Sequence, residues 1–314
     1  MKKKLFIVLC FLMFSNFSFS QPGNVNGIAS IEGDTLNKAA ANQPWKKGGF
    51  VNLTFSQVSL SNWAPGGENS YSGAANSTLF AIYDKGRIRW DNNLILSYAM
   101  QQTGNEGLRK TDDQIDLTSK YGYKASTTSK WYYSALVNFK SQFSSGYKYP
   151  DDSTVISKFL APAYMVGSLG FTWKPLDYFE LFLSPVSTRI TIVNDQKLAD
   201  EGRYGVQKAT IDANGLPVAG KKIRSQFGAY FNARFRKEIM TNVTLATRLE
   251  LFNDYTDPNK SNRKNIDVNW ETGILMKVNK LITASIIFQI VCDDDVIKKT
   301  QYRQVTGIGI GYKF

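Results

Sequence analysis

The chain has 314 residues, 43% of them hydrophobic and 13% aromatic, with a formal charge of +12. That much apolar and aromatic content excludes a disordered chain. Histidine is absent and the only cysteines are Cys10 and Cys292, which excludes imidazole-based catalysis, His-ligated metals, thiolate clusters and a disulfide framework.

Met1-Lys2-Lys3-Lys4, the apolar run Leu5 to Phe14 and small residues at Ser18 and Ser20 predict an export signal over residues 1–20, cleaved before Gln21. A lipoprotein anchor at Cys10 does not fit, because Leu9 is bulky and the thiol lies inside the apolar run. Cleavage leaves 35 basic against 26 acidic residues, a net +9, with Cys292 as the remaining thiol. Residues 21–46 are small and polar and read as a flexible periplasmic arm. No later window offers about eighteen uninterrupted apolar residues, so no transmembrane helix is expected. An exported chain without an anchor helix is either soluble or an outer-membrane barrel.

Periodicity decides between these. From Gly49 onward the pattern alternates with period two. Ile88, Trp90, Leu94, Leu96, Tyr98 and Met100 share one face of their segment, while Arg89, Asp91, Asn93, Ser97 and Gln101 share the other. The same holds for Trp131, Tyr133, Ala135, Val137 and Phe139 against Ser134, Asn138, Lys140 and Gln142. Twelve such segments are predicted: 50–61, 70–83, 87–101, 113–124, 131–143, 161–173, 178–193, 224–236, 241–252, 266–278, 281–292 and 300–314. Short turns near Gly86, 125–130, 174–177, 237–240 and Asn279-Lys280 alternate with longer loops at 62–69, 102–112, 144–160, 194–223, 253–265 and 293–299. Sorting loop lengths onto two ends is the habit of an outer-membrane barrel, and a soluble sandwich has no reason for it. The expected fold is therefore all-β: a closed antiparallel transmembrane β-barrel of about twelve strands over residues 47–314.

An even strand count puts both barrel ends on one side, and the short turns mark that side as periplasmic. The last strand carries Ile308, Ile310, Tyr312 and Phe314 on one face, resembling the signal read by the barrel assembly machinery. In hydrocarbon an unpaired backbone group costs several kcal/mol, so the last strand must pair with the first. Tyr71, Tyr83, Trp90, Trp131, Trp173, Trp270 and Tyr312 fit interfacial girdles. The lipid bilayer is thus the first expected partner.

On the inward face the alternation places Arg87, Arg89, Lys120, Lys124, Lys140, Arg224, Arg234, Arg236, Arg248, Lys277, Arg303 and Lys313. Against these twelve cations stand six carboxylates, Asp91, Asp116, Glu180, Glu250, Asp267 and Glu271. Two readings follow. A basic lumen lowers the barrier for small anionic solutes such as phosphorylated compounds or acidic sugars, giving a narrow, weakly anion-preferring channel. Alternatively, cross-strand Arg–carboxylate pairs lace the interior shut. The basic residues are spread over strands with no compact motif, so nucleic acid is not an expected partner.

At the loop end, Trp63 and Asp293-Asp294-Asp295 fall on the first and last loops, which closure brings to one rim. Three carboxylates in a row suit either a hard cation or a solvated turn; the ligand spacing of an EF-hand is missing. The sequence marks no metal site and no cofactor.

Several blocks are familiar together: Asn62-Trp63 with Gly66-Gly67-Glu68-Asn69, Tyr83-Asp84-Lys85-Gly86, Trp90-Asp91-Asn92, Lys110-Thr111-Asp112-Asp113, Phe139-Lys140-Ser141-Gln142-Phe143, Phe159-Leu160-Ala161-Pro162, Leu183-Ser184-Pro185, Asp293-Asp294-Asp295 and Gly307-Ile308-Gly309. The chain from Trp45 to Phe314 resembles a family of Bacteroidota outer-membrane proteins classed as a domain of unknown function. Cys292 departs from its pattern, where an aromatic is expected before the Asp run. The resemblance implies a barrel and an outer-membrane address, and transfers no catalytic residue. The function classes left are a channel, a non-conducting scaffold docking partners through the arm and long loops, and, remotely, a barrel enzyme working without histidine. No catalytic residue is assigned and enzymatic activity is not expected.

Overall fold

In the computed structural model, residues 43–61, 67–258 and 262–314 are described. The expected export signal, residues 21–42 of the expected arm, and Trp63 lie outside these. The remaining arm residues include Trp45 and Lys46, which already belong to the first strand.

Sixteen strands follow in chain order: β1 (Trp45–Val58), β2 (Ser70–Lys85), β3 (Ile88–Thr103), β4 (Arg109–Lys124), β5 (Trp131–Ser141), β6 (Gly146–Tyr147), β7 (Val155–Ser157), β8 (Ala163–Leu176), β9 (Phe179–Ile192), β10 (Thr210–Ile211), β11 (Pro217–Val218), β12 (Ile223–Met240), β13 (Val243–Asp254), β14 (Asp267–Lys277), β15 (Ile282–Asp293) and β16 (Ile297–Lys313). Twelve of them close a ring in the order β1-β16-β15-β14-β13-β12-β9-β8-β5-β4-β3-β2, every neighbour antiparallel. The pairs β6–β7 and β10–β11 are small hairpins within two loops. A short helix, α1 (Gln196–Asp200), opens the loop between β9 and β12.

The turns explain themselves chemically. Gly86 and Asn242 occupy the left-handed region, φ +61° and +63°, which tight hairpins need and which Gly and Asn adopt most readily. Two loops are tighter than the alternation predicts. Strand pairing continues to 103 and from 109 between β3 and β4, and to 293 and from 297 between β15 and β16. In both places the alternation assigns polar residues to a loop although they belong to the ladder, which polar side chains do not interrupt.

The outer wall carries the apolar side chains. Leu53 is 60% exposed, Leu169 62% and Ile308 66%, on strands whose other face is buried. A band of this kind needs lipid around it. Aromatic pairs mark its edges: Trp45 with Tyr83 and Trp90 and Trp131 with Trp173 at the turn end, Phe227 with Tyr255 and Phe288 with Tyr302 toward the loops.

The inner wall is polar in part only. Asn52, Asn76, Asp116, Asn138, Arg248 and Glu271 are buried there, yet so are Ile95, Leu136, Phe182 and Phe252. Leu136, Phe182, Tyr230 and Phe252 pack as one cluster, each apolar side chain contributing on the order of 1.5–3 kcal/mol relative to exposure. Twelve strands leave a lumen narrow enough for long side chains from separate strands to meet and exclude water.

Pro185 sits at a change of phase within β9. Pairing slips on both flanks of β9, between Leu169 and Phe171 of β8 and between Gly228 and Tyr230 of β12. Proline cannot donate to a ladder and is tolerated at a bulge. Ser184 Oγ donates instead to the carbonyls of Leu169 and Val186 at 2.7 and 2.8 Å. Below the bulge Glu180, Phe182 and Ser184 face inward; above it Ser187, Arg189 and Thr191 do.

Candidate functional site: the lumen and its two mouths

Three layers of charge fill the barrel. At mid-height, Lys140 Nζ on β5 binds Glu250 Oε2 on β13 at 3.0 Å and lies 3.9 Å from Asp116 Oδ2 on β4. Arg248 on β13 reaches Asp116 at 3.6 Å and Glu271 at 3.1 Å. Asn138 Nδ2 donates to Asp116 Oδ1 at 2.6 Å, and Tyr230 Oη and Asn269 Nδ2 donate to the Glu250 carboxylate, each at 3.0 Å. Two of these bonds, Lys140–Glu250 and Arg248–Asp116, join strands four and five places apart around the ring and so cross the lumen, while the others tie neighbouring strands along its wall.

At the loop-end mouth, Arg189 is the hub. Its guanidinium lies 2.7 Å from Asp267, 3.6 Å from Asp295 and 3.7 Å from Asp293, and it stacks on Phe252 at 4.4 Å. Arg224 meets Asp295 at 2.9 Å and Asp254 at 3.8 Å. Asp267, Asp293 and Asp295 could bring one oxygen each within 4.8 Å, but each already pairs with Arg189, and Asp295 with Arg224 as well. Asp294 stands apart and accepts from Asn265 at 3.2 Å. Over this mouth sits a cap. Ala161, Val193, Leu198, Ala199 and Val206 pack together, Tyr204 Oη donates to the Ile156 carbonyl at 2.6 Å, and Lys158 holds Asp195 at 2.5 Å. Asp195 also caps α1 by accepting from the Leu198 amide at 3.0 Å. The Lys158 hydrogen bond, aided by the Leu198 amide, holds the Asp195 carboxyl below the usual carboxylate range.

The turn-end mouth opens into a vestibule of about 710 Å³, its solvent-open part included. Together with an adjoining recess it is lined by five cations, Arg89, Lys120, Lys174, Arg234 and Arg236, against three carboxylates, Asp91, Asp177 and Glu180. Lys120 is bonded to Glu180 at its inner end. Arg89 is bonded to Asp91 at 2.8 Å and Asp84 at 2.9 Å.

The residues expected in the lumen thus fall into distinct places. Asp91, Glu180, Arg89, Lys120, Arg234 and Arg236 gather at the turn end, and Asp116, Lys140, Arg248, Glu250 and Glu271 at mid-height. Asp267 belongs to the loop-end mouth, and Arg303 reaches Asp112 on β4 at 3.0 Å. Arg87 sits in the β2–β3 turn instead. It donates to the Lys124 and Ala125 carbonyls and stacks on the exposed Tyr123 ring at 4.4 Å, so it is a rim residue. Of the expected rim cluster, Asp293 and Asp295 turn inward onto Arg189 and Arg224, while Trp63 lies outside the described residues. Ile308, Ile310, Tyr312 and Phe314 share the exposed outer face of β16 and the residue that follows it. Arg189 was missed because alternation counted from Glu180 places it outward; Pro185 inside an apolar strand is the signal that would have flagged the bulge.

Residues 55–147 match the model of a family described as Protein of unknown function (DUF3078). This agrees with the resemblance to a domain of unknown function, over β1 to β6. The sequence matches no curated protein. Among solved structures, the chain is similar to the translocator domain of the autotransporter NalP from Neisseria meningitidis at 12% identity and a TM-score of 0.35, with 86% of this chain and 89% of that one covered. An outer membrane channel from Pseudomonas putida F1 aligns at 10% identity and a TM-score of 0.38, covering 85% and 94%. The NanC porin aligns at 10% identity and a TM-score of 0.33, covering 84% and 97%.

Proposed function

We propose that this is an outer-membrane barrel passing small solutes with a weak preference for anions, closed at rest by the ion pairs at mid-height. The loop end would face outside, with both ends of the barrel in the periplasm. The observation that carries this reading is the vestibule, where five cations outnumber three carboxylates at one mouth of a ring sealed in lipid. A low-dielectric wall focuses that excess charge and raises the local concentration of anions. The chords through Lys140 and Arg248 give the closed state, and their rearrangement would open the path.

A second reading is favoured by the same chords and by the cap. In it the barrel conducts nothing and serves as a rigid scaffold, with the loop hairpins and the 21–46 segment meeting partners. Planar-bilayer recording of the mature protein separates the two. Brief anion-preferring openings, lengthened in Lys140→Met, support the channel. Silence in both proteins, or cation preference, removes it.

A further inference from the structure

The vestibule at the turn end has unspent hydrogen-bonding capacity of two opposite kinds. On the donor side, Arg234 Nε is buried without an acceptor, and the Lys174 ammonium makes no hydrogen bond or ion pair among the described residues. Arg234 faces Glu180 across the β12–β9 ladder, but that carboxylate is already bonded to Lys120. On the acceptor side, Asn93 Oδ1 is buried without a donor in the same cavity. Buried polar groups are seldom left unmatched, and a cluster of them around one cavity points to something that completes them. The lining also includes Phe80, the cross-strand partner of Asn93, and Tyr178 and Phe179 at the β8–β9 turn.

The complement of this surface is a molecule with a carboxylate, at least one hydroxyl and a flat C–H face. The carboxylate answers Arg234 and Lys174 as a charge-assisted pair. A hydroxyl hydrogen answers Asn93 Oδ1, and ring C–H groups pack on the aromatic side chains. We propose that the turn-end vestibule is a binding site for an acidic monosaccharide, its carboxylate on Arg234 and Lys174 and a hydroxyl on Asn93. The site deepens the channel reading and rests on it for its biological use, although binding itself requires no conduction.

The test is calorimetric titration of the detergent-solubilised mature protein with D-glucuronate, D-glucose and acetate. Glucuronate is expected to bind about tenfold or more tighter than either half-ligand, each matched polar group contributing roughly one factor of ten. Arg234→Gln and Lys174→Gln are expected to weaken glucuronate by about tenfold each. Asn93→Leu is expected to weaken glucuronate and leave acetate unchanged. All variants are first checked for the compact, heat-modifiable mobility of a folded barrel on gels. Equal affinity for glucuronate and acetate, or for glucuronate and glucose, overturns the proposal, as does binding indifferent to Arg234 and Lys174 in folded variants. Binding with no conductance keeps the site and removes the channel. Anion-selective conductance with no glucuronate binding removes the site and keeps the channel.

Discussion

Arg248 Nη1 lies 3.6 Å from Asp116 Oδ2 although their strands, β13 and β4, stand five places apart in a ring of twelve. The bond is therefore close to a diameter of the barrel. The Asp116 side chain is 1% exposed and the Arg248 side chain 10%, and Arg248 also satisfies Glu271. Removing the cation takes the ion pair from Glu271 and leaves Asp116 with Asn138 and the more distant Lys140, at a cost of about 3–5 kcal/mol for a broken buried pair. Arg248→Met is expected to lower the unfolding free energy from urea titration by that order, and Asp116→Asn on the same background to recover part of it. A single variant as stable as the parent would show that the chord carries no energy.

Closure depends on glycine at the β1–β16 seam. Five residue pairs join these strands, Phe50 with Lys313 through Thr54 with Gly309, where β1 and β2 share fourteen. A Cβ at Gly309 would lie 2.7 Å from both Asn52 Oδ1 and the Leu53 carbonyl oxygen. Backbone cannot give way there without unzipping so short a ladder. Gly309→Val is expected to abolish the heat-modifiable folded form, while Gly86→Ala, in an open turn, costs stability only through its left-handed φ.

The seam also stops early. Among the described residues, β1 and β16 pair no further toward the loops than Thr54 and Gly309, although β1 continues beside β2 to Val58. Gln57 lies level with Tyr71, at the aromatic edge of the lipid band, where water can serve the unpaired groups. On a Cys292→Ser background, cysteines at Leu53 and Ile310 are expected to cross-link under mild oxidation. Cysteines at Gln57 and Thr306 are expected to need a longer bifunctional reagent. Rapid direct cross-linking of the second pair would mean that the ladder is zipped to its end.

The ring itself was legible because one face of each strand meets lipid and the other does not, so alternation survives in the sequence even where loops are irregular. Asp116 and Arg248 could both be placed inward by counting from Leu117 and Leu249. That they touch could not, since period two fixes the face of a residue and says nothing about which distant strand it confronts. Arg189 shows the second limit: one proline-bearing bulge reverses every assignment downstream. The vestibule was illegible for a third reason. Arg234, Lys174 and Asn93 lie on three different strands, and their unmatched atoms become visible only when the neighbours that could have matched them are in place.

Lys158 and Asp195 make the cap over the loop-end mouth sensitive to acid. The bond at 2.5 Å holds the folded Asp195 carboxyl below the usual carboxylate range. A depressed folded pKa means that the unfolded or detached cap binds the proton more readily, so the stabilisation is fully present above the unfolded pKa and is lost as pH falls through the folded one. Between pH 7 and about pH 5 the carboxylate stays charged in both states and the cap should be insensitive to pH. Below about pH 4, protonation of the detached form begins to favour release, and the Leu198 amide loses its ionised acceptor. Hydrogen-exchange protection of residues 196–206, relative to the intrinsic rate at each pH, is expected to fall over that range in the parent protein. In Asp195→Asn the exchange should be faster already at pH 7 and lose this acid step. A variant that keeps the step would place the titrating group elsewhere in the cap.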